Sequence, residues 1–357
     1  MPTRVIQIGL GPIGLGAVAR CLERDDIEVA AAVDPHPEKA GRTLRELLEQ
    51  SGPAVPESAL ERAGTVKVAP SLDEALESLD RPPQAALHTT SSFLDLVQDQ
   101  LTELIRRRID VVSTCEELFY PWWHHPKESA ALDAAAKEAG VRVIGTGVNP
   151  GFAMDLLPLI LTAVSASVDS VSVHRVVDAG KRRGPLQRKV GAGIAPEEFA
   201  VKKATGRFGH VGLAESVAFL AHGLGWELAS IETDLQPKLA AESYTTAHGT
   251  IKAGQVLGID QVAIGRDEDG VERIRLRLEM YVGAPEPRDV VAIHGTPPLT
   301  FTVDGGIPGD SATISALINT LPQLDALAPG LRTMMDLPAP RWNSPTRRKG
   351  VSFPKGA

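Results

Sequence analysis

Two adjacent carboxylates, Glu116 and Glu117, follow a strand-like run, Asp110-Val111-Val112-Ser113-Thr114, in the stretch STCEELFYPWWHHP (113–126). Aromatic side chains crowd in behind them: Phe119, Tyr120, Trp122 and Trp123, in a chain that is only 4% aromatic. An acid walled by apolar rings is harder to ionise. Burial moves its pKa towards neutrality, where it can pass protons. Kept anionic, the same group stabilises a cation such as an iminium or an ammonium. The stretch lacks the lysine or His–Asp arrangement that polarises a carbonyl or an alkoxide. An acid in this place suits C–N chemistry, moving protons between ammonia, a carbinolamine and water. The competing reading is a pair of surface glutamates starting a helix, where acids suit the positive end of the dipole. His124 and His125 point in different directions as neighbours and have no His or Glu partner at helical spacing. They read as structural or solvent histidines, and no metal is expected.

The redox partner of such an acid is signalled at the N-terminus. Gly9-Leu10-Gly11-Pro12-Ile13-Gly14 matches G-x-G-x-x-G, follows a strand and opens a helix. Gly9 permits the tight turn, Gly11 lets the backbone approach a pyrophosphate, and Gly14 lets helix pack on strand. The pyrophosphate would rest on the helix N-terminus, whose free N–H groups and dipole favour an anion. Asp34 ends the second strand, and its carboxylate suits the two ribose hydroxyls of NAD, while a 2′-phosphate would face its charge. His36, Lys39 and Arg42 follow closely, so NADP stays open. Further contacts are expected at other strand ends: Thr89, Thr90 and Ser91 after His88, Cys115 beside the acids, and Asn149 and Pro150 in GTGVNPGF (145–152). A helix cap and a linker are the bland readings of those two loops. Phe152, Met154, His174 and His210 are candidate substrate contacts, and Trp226 reads as core.

These residues need a frame that brings strand ends together. Strands are expected at Val5–Gly9, Glu28–Asp34, Val66–Ala69, Ala85–Thr89, Val111–Thr114 and Val141–Gly145. Helical patterns lie between them, at Gly14–Arg24, Pro37–Glu49, Ser71–Leu79, Phe93–Arg108 and Pro126–Ala139. That alternation predicts a parallel, doubly wound α/β sheet, whose ligands bind outside the carboxyl ends of the strands. After Gly151 the runs are long and rich in Val, Ile, Thr and Arg: Ser170–Val177, Ser230–Lys238, Ala247–Ala253, Gln261–Gly265, Arg273–Val282 and Val290–His294. With a helix at Leu213–Leu224 they predict a mostly antiparallel sheet carrying a helix. The expected organisation is a dinucleotide-binding domain over 1–150, an α+β domain over 151–305, a C-terminal helical segment over 306–340, and a tail over 341–357.

The chain has 357 residues, enough for two domains that each bury a core. Its net charge of −8 argues against a surface that tracks nucleic-acid phosphates. No apolar run approaches the roughly 20 residues that span a membrane. The N-terminus enters a strand at once, and two cysteines, Cys21 and Cys115, make neither a disulfide framework nor a metal site. A cytoplasmic protein is expected.

Taken together, GLGPIG (9–14), STCEEL (113–118), GVNPGF (147–152), GRFGHVGLAES (206–216), GGIPGDSATISALIN (305–319) and PGLRTMMDLP (329–338) resemble the native amine dehydrogenase and 2,4-diaminopentanoate dehydrogenase group, whose fold is that of dihydrodipicolinate reductase. The resemblance covers nearly the whole chain. It implies a Rossmann domain, a second domain whose sheet pairs subunits in a homodimer, and a C-terminal helix returning to the first domain. It implies NAD(P)-dependent oxidative deamination, or reductive amination of a ketone or aldehyde with ammonia, with a glutamate of STCEE as the key acid. Glu116 is favoured, with Glu117 the alternative. A diamino acid substrate would need a cation for its carboxylate, and Arg175, Lys181, Arg182, Arg183, Arg188 and Lys189 are candidates, although such a run is usually a solvated face. Two rival functions stand beside this one: another C=N or C=O reductase of amino-acid metabolism, and an NAD(P)-sensing protein without turnover.

Overall fold

A computed structural model of the chain describes residues 2–181 and 184–342; the candidate cations Arg182 and Arg183 and the tail from 343 lie outside the described residues. The chain forms two compact units, one of residues 1–118, 127–147 and 310–357 and one of residues 119–126 and 148–309. The opening stretch is therefore divided. Its acids belong to the first unit and its aromatics to the second.

The first unit is built on β1 (Thr3–Ile8), β2 (Ile27–Val33), β3 (Val68–Ala69), β4 (Ala85–His88), β5 (Asp110–Ser113) and β6 (Arg142–Gly145), joined by a late strand, Gly330–Arg332. The sheet is entirely parallel, in the order Gly330–Arg332, β6, β5, β4, β1, β2, β3. The strand cores Val5, Ile6, Ala86, Leu87, Val111, Val112 and Val143 are buried, as expected of strands covered on both faces. The strand order reverses direction between β1 and β4, which opens the crevice where such sheets take ligands. The helix Pro12–Leu22 follows β1, and the helix Gly309–Thr320 packs against it where Gly16 has no side chain, with Ile314 filling the space.

Two expectations need correction here. The helix expected from Pro37 starts only at Leu44, because Thr43 and Glu46 form a capping box that fixes its first turn there. A helix at Glu57–Ala63 is also present that the pattern did not announce.

The second unit carries β7 (Ser167–Asp178), β8 (Ser230–Leu239), β9 (Tyr244–Thr246), β10 (Gly249–Ile251), β11 (Val256–Arg266), β12 (Glu272–Tyr281), β13 (Arg288–Thr296) and β14 (Leu299–Asp304). Six of them form a mixed sheet ordered β14, β13, β7, β12, β11, β8. The sheet is antiparallel except for its central pair, β7 and β12, which run parallel. The run expected at Ala247–Ala253 supplies only β10, which pairs with β9 in a separate two-stranded ribbon. Alternate residues of the large sheet face inward, among them Val171, Val173, Ile274, Leu276, Leu278 and Val291. The helix Leu213–Leu224 packs on that sheet, and eight of its residues besides Glu215 are buried. Among the described residues, no helix is long and apolar enough to cross a membrane.

Candidate active site

Because the first sheet is parallel, the ends of β1, β2, β4, β5 and β6 lie along one edge. Backbone bonds stitch them side by side: Gly9 N–H to Val33 O (2.9 Å), Thr89 to Ile8 (2.8 Å), Thr114 to His88 (2.9 Å) and Thr146 to Ser113 (2.8 Å). The predicted cofactor residues of the first unit therefore share one edge.

The glycine loop has the geometry its spacing suggests. Gly9 has φ +85°, and a Cβ there would sit 2.8 Å from the Thr89 carbonyl oxygen. A Cβ at Gly14 would run into the Gly9 carbonyl, whereas one at Gly11 would meet nothing within 4 Å. Gly11 is also the N-cap of the helix, with no side chain capping it, and Pro12 is its first residue. The loop thus has an open face at Gly11 and closed packing at Gly9 and Gly14. That is the cradle a pyrophosphate needs, and the residues fit a dinucleotide. Buried Gln7 braces it, donating to the Gly9 carbonyl (2.9 Å) and to Thr89 Oγ1 (2.8 Å).

Asp34 follows β2 and is nearly buried. Its Oδ2 accepts from the Leu10 amide (2.9 Å) and from Lys39 Nζ (2.7 Å), and its Oδ1 from the His36 amide (3.0 Å). Burial alone would raise this carboxyl's pKa, but Lys39 and the two amides outweigh it and hold the group below its ordinary range. The His36 side chain is exposed and accepts from the Glu38 amide.

His88, at the end of β4, is fully buried. Its Nδ1 lies 2.8 Å from Ser113 Oγ and its Nε2 2.9 Å from Gln100 Oε1. Since Gln100 Oε1 only accepts, Nε2 carries the proton and Nδ1 accepts from the Ser113 hydroxyl. Ser113 Oγ in turn accepts from the Cys115 amide (3.0 Å). Burial pushes the His88 pKa down to about 4, so the ring is neutral. This chain of neutral groups fixes the loop that carries the acids. Thr90 hydrogen-bonds the same His88–Gln100 pair, and Ser91 Oγ accepts from the Phe93 amide. Cys115 donates its thiol to Ser92 O (3.3 Å), and burial pushes that thiol up to about 12, so it is not a nucleophile.

The two glutamates are not equivalent. Glu117 Oε2 accepts from the Leu94 amide (2.7 Å), at the start of the helix Leu94–Arg106, where Phe93 offers no side-chain cap. The Glu117 amide also donates to Ser92 O (3.1 Å). Glu116 stands one residue nearer the strand end and is half-buried.

In the second unit, Asn149 and Pro150 are joined by a cis peptide, and Asn149 Oδ1 is buried with no hydrogen-bond partner among the described residues. Asp155, which sequence reasoning missed, holds this loop. Its Oδ2 accepts from the Gly151 amide (3.0 Å) and from Ser216 Oγ (2.8 Å), and its Oδ1 from the Leu156 amide (2.7 Å). Burial raises its pKa to about 6 against those bonds. The signal was present as an acid four residues after Gly151 and ahead of an apolar helix. Phe152 is half-buried and Met154 fully buried beside it. The His210 backbone is clamped from both sides by Gln261, which accepts from its N–H and donates to its C=O, both at 2.9 Å.

Other candidates lie elsewhere in this unit. His174 bonds Glu279 (2.6 Å), and Glu279 also pairs with Lys238 (2.6 Å), so His174 stands in a charged network on the large sheet. Arg175 is buried against Asp289 (2.6 Å) and donates to Ile307 O (2.6 Å), bonds that tie its guanidinium to the fold. Arg188 and Lys189 are exposed. His124 bonds the buried Glu215 (2.6 Å). Tyr120, Trp122 and Trp123 wall a cavity of about 200 Å³, together with His222, but its lining includes neither glutamate, so it is not the walled acid expected from the sequence; Phe119 is buried in the core, and Trp226 lines the cavity instead of sitting in the core. Tyr120 Oη lies 2.5 Å from His222 Nδ1. Among the described residues, no group of three or more His, Cys, Asp or Glu is arranged to hold a metal ion.

Comparison with known proteins agrees with this architecture. The chain is 29% identical to the 2,4-diaminopentanoate dehydrogenase of Acetoanaerobium sticklandii over 344 residues, 95% of this chain and 94% of that enzyme. It is 23% identical to an amine dehydrogenase of Streptomyces virginiae over 360 residues, covering 92% of this chain and 94% of that one. Its fold is shared by the amine dehydrogenase of Mycobacterium smegmatis, with a TM-score of 0.81, 24% identity, and coverage of 96% of this chain and 98% of that one. Residues 152–351 match the 2,4-diaminopentanoate dehydrogenase C-terminal domain, and with that match spanning more than half of its length the chain belongs to the 2,4-diaminopentanoate dehydrogenase family.

Proposed function

We propose that this chain interconverts a primary amine with a ketone or aldehyde plus ammonia, using Glu116 as its acid–base group. Written from the amine side, a protonated amine, oxidised NAD(P) and water give a carbonyl, ammonium, reduced NAD(P) and a proton. The bound dinucleotide supplies or takes the hydride. The glycine loop and the N-terminus of the helix Pro12–Leu22 would hold its pyrophosphate, and Asp34 its adenosine ribose.

The Glu116 carboxylate would hold ammonium by charge, take a proton from it to release the amine nucleophile, and return that proton to the departing hydroxyl of the carbinolamine. Its negative charge then offsets the iminium before hydride arrives. The observation that supports this assignment is position: Glu116 stands just after the end of β5, at the ligand-binding edge of the parallel sheet, and the following acid, Glu117, accepts the Leu94 amide.

The likeness to the Acetoanaerobium enzyme favours a second reading of the substrate, a diamine bearing a carboxylate. With Arg175 paired to Asp289, that carboxylate is expected to meet another cation. A homodimer is part of the proposal and is checked by sedimentation velocity. The deciding assay is a panel of ketones, aldehydes and 2,4-diaminopentanoate, run with and without ammonium and with NADH and NADPH. Ammonium-dependent turnover supports the reading. Carbonyl reduction without ammonium would replace it with an ordinary reductase, and dinucleotide binding without turnover would replace it with a sensor.

A further inference from the structure

Three of the chain's four tryptophans, Trp122, Trp123 and Trp226, line one cavity of the second unit, with Tyr120 and His222 beside them. Rings that served packing alone would be covered, as Phe119 and Phe219 are. Trp122 and Trp226 are instead half-buried, and Trp123 is 38% exposed. The wall is held in place. The Tyr120 and Trp122 rings lie 5.2 Å apart at 52°, Phe219 and His222 meet the Tyr120 ring edge-on, and Tyr120 Oη is tied to His222 Nδ1. Among the described residues, no Asp, Glu, Lys or Arg lines the cavity. A guest there meets ring faces and aliphatic carbon, with no carboxylate to take an N–H and no cation to take an anion. An apolar cavity of about 150 Å³ holds a benzene-sized guest. The cavity here, about 200 Å³, admits a group of that size.

We propose that this cavity is an aromatic cage for a quaternary ammonium group, a site that neither Glu116 nor Glu117 lines. The faces of indole and phenol rings are negative and attract a cation, indole most strongly. A quaternary ammonium suits this wall in two ways. Its carbon surface packs on rings, and it has no N–H, so it loses nothing where no acceptor faces it. A primary ammonium would leave most of its three donors without partners. The net charge of −8 adds a general pull on cations.

The test compares choline with 3,3-dimethylbutan-1-ol, which has the same shape and no charge. Choline has no lone pair on nitrogen and cannot form an iminium. It is therefore no substrate of the proposed reaction, and its binding is read apart from turnover. Affinities are measured by calorimetry, with tryptophan fluorescence as a second signal. The wild type is expected to bind choline about tenfold tighter than the alcohol, the scale of a desolvated cation–π contact. Trp122→Leu, Trp226→Leu and Trp123→Leu keep apolar bulk and remove a ring face. Each is expected to weaken choline by about threefold to tenfold and the alcohol by less than about twofold. Trp123 is exposed, so its variant keeps the test open if the other two fail to fold. Glu116→Gln is expected to leave choline binding as it was. Equal affinity for choline and the alcohol would overturn the proposal, making the cavity merely apolar. So would a wild type that does not bind choline, binding that survives the tryptophan changes, or binding that is lost with Glu116.

Discussion

Glu117 and Leu94, 23 positions apart in sequence, meet through a 2.7 Å hydrogen bond from the Leu94 amide to a Glu117 carboxylate oxygen. One member of the acidic pair thereby caps the helix that follows β4 and ties the β5 loop to it.

The two acids should therefore respond differently to the same change. Glu116→Gln is expected to lower kcat for reductive amination by roughly 10²–10⁴-fold, the usual contribution of a general acid–base group, with little change in Tm. Glu117→Gln keeps an oxygen that accepts the Leu94 amide and loses only its charge, so it is expected to leave turnover near normal, whereas Glu117→Ala removes the helix cap and is expected to lower stability by about 1 kcal/mol, a Tm shift of about 2–4 °C. Turnover with saturating ammonium and thermal melts on these variants check this. The reverse pattern would exchange the roles.

Two glycines of one loop separate binding from folding. Gly11→Ala places its Cβ in open space, so the protein should melt as the wild type does while losing dinucleotide affinity. Gly14→Ala drives its Cβ into the Gly9 carbonyl and should lower Tm instead. Nucleotide titration beside a thermal melt reads both.

Two buried groups give opposite pH dependences. His88 has its folded pKa depressed to about 4, so its contribution is present above the unfolded value near 6.5 and is lost as pH falls towards 4. The loss is at most about 1.4 kcal/mol per pH unit, and His88→Gln should remove that slope from the first unit. Asp155 has its folded pKa raised to about 6, so its contribution is full below the unfolded value near 3.8 and is lost as pH rises through 6. Asp155→Asn should flatten that dependence. Denaturant melts between pH 4 and 7 on each variant, followed by probes within each unit, test both signs.

Arg175 and Asp289 form a pair whose side chains are 3% and 1% exposed. Arg175→Met should cost about 3–5 kcal/mol, because it leaves a buried carboxylate without its partner. The double variant Arg175→Met/Asp289→Leu should recover much of that loss. If the single variant instead melts normally and raises KM for a carboxylate-bearing amine, Arg175 is a substrate residue after all.

The parts of this protein that could be read directly share one property: their signal is local. β1, β4 and β6 are short apolar runs because both faces of the first sheet are covered, and the glycine motif lies within six residues. β14 showed no such signal, since most of its residues face solvent, and the strand Gly330–Arg332 is too short to carry a period. The parallel pairing of β7 with β12 is a matter of topology, which alternation along either strand cannot report. At the site, the candidates were legible but their division of labour was not. The bond that distinguishes Glu117 comes from Leu94, 23 positions away, and the ion pair that holds Arg175 comes from Asp289, 114 positions away, and neither distance leaves a mark in the local pattern. Asp155 went unnoticed because a helix-capping acid is a common local pattern, and only its burial against Ser216 marks it.

The strand Gly330–Arg332 pairs with β6 and covers what is otherwise an open edge of the parallel sheet. During synthesis almost the whole chain must leave the ribosome before that strand exists. Until then β6 presents bare backbone N–H and C=O groups that any passing extended segment can zip onto. The nascent protein therefore has a long interval in which chaperone cover matters most, and a stop codon placed shortly before residue 330 should yield an aggregating product even though every proposed catalytic residue has been made.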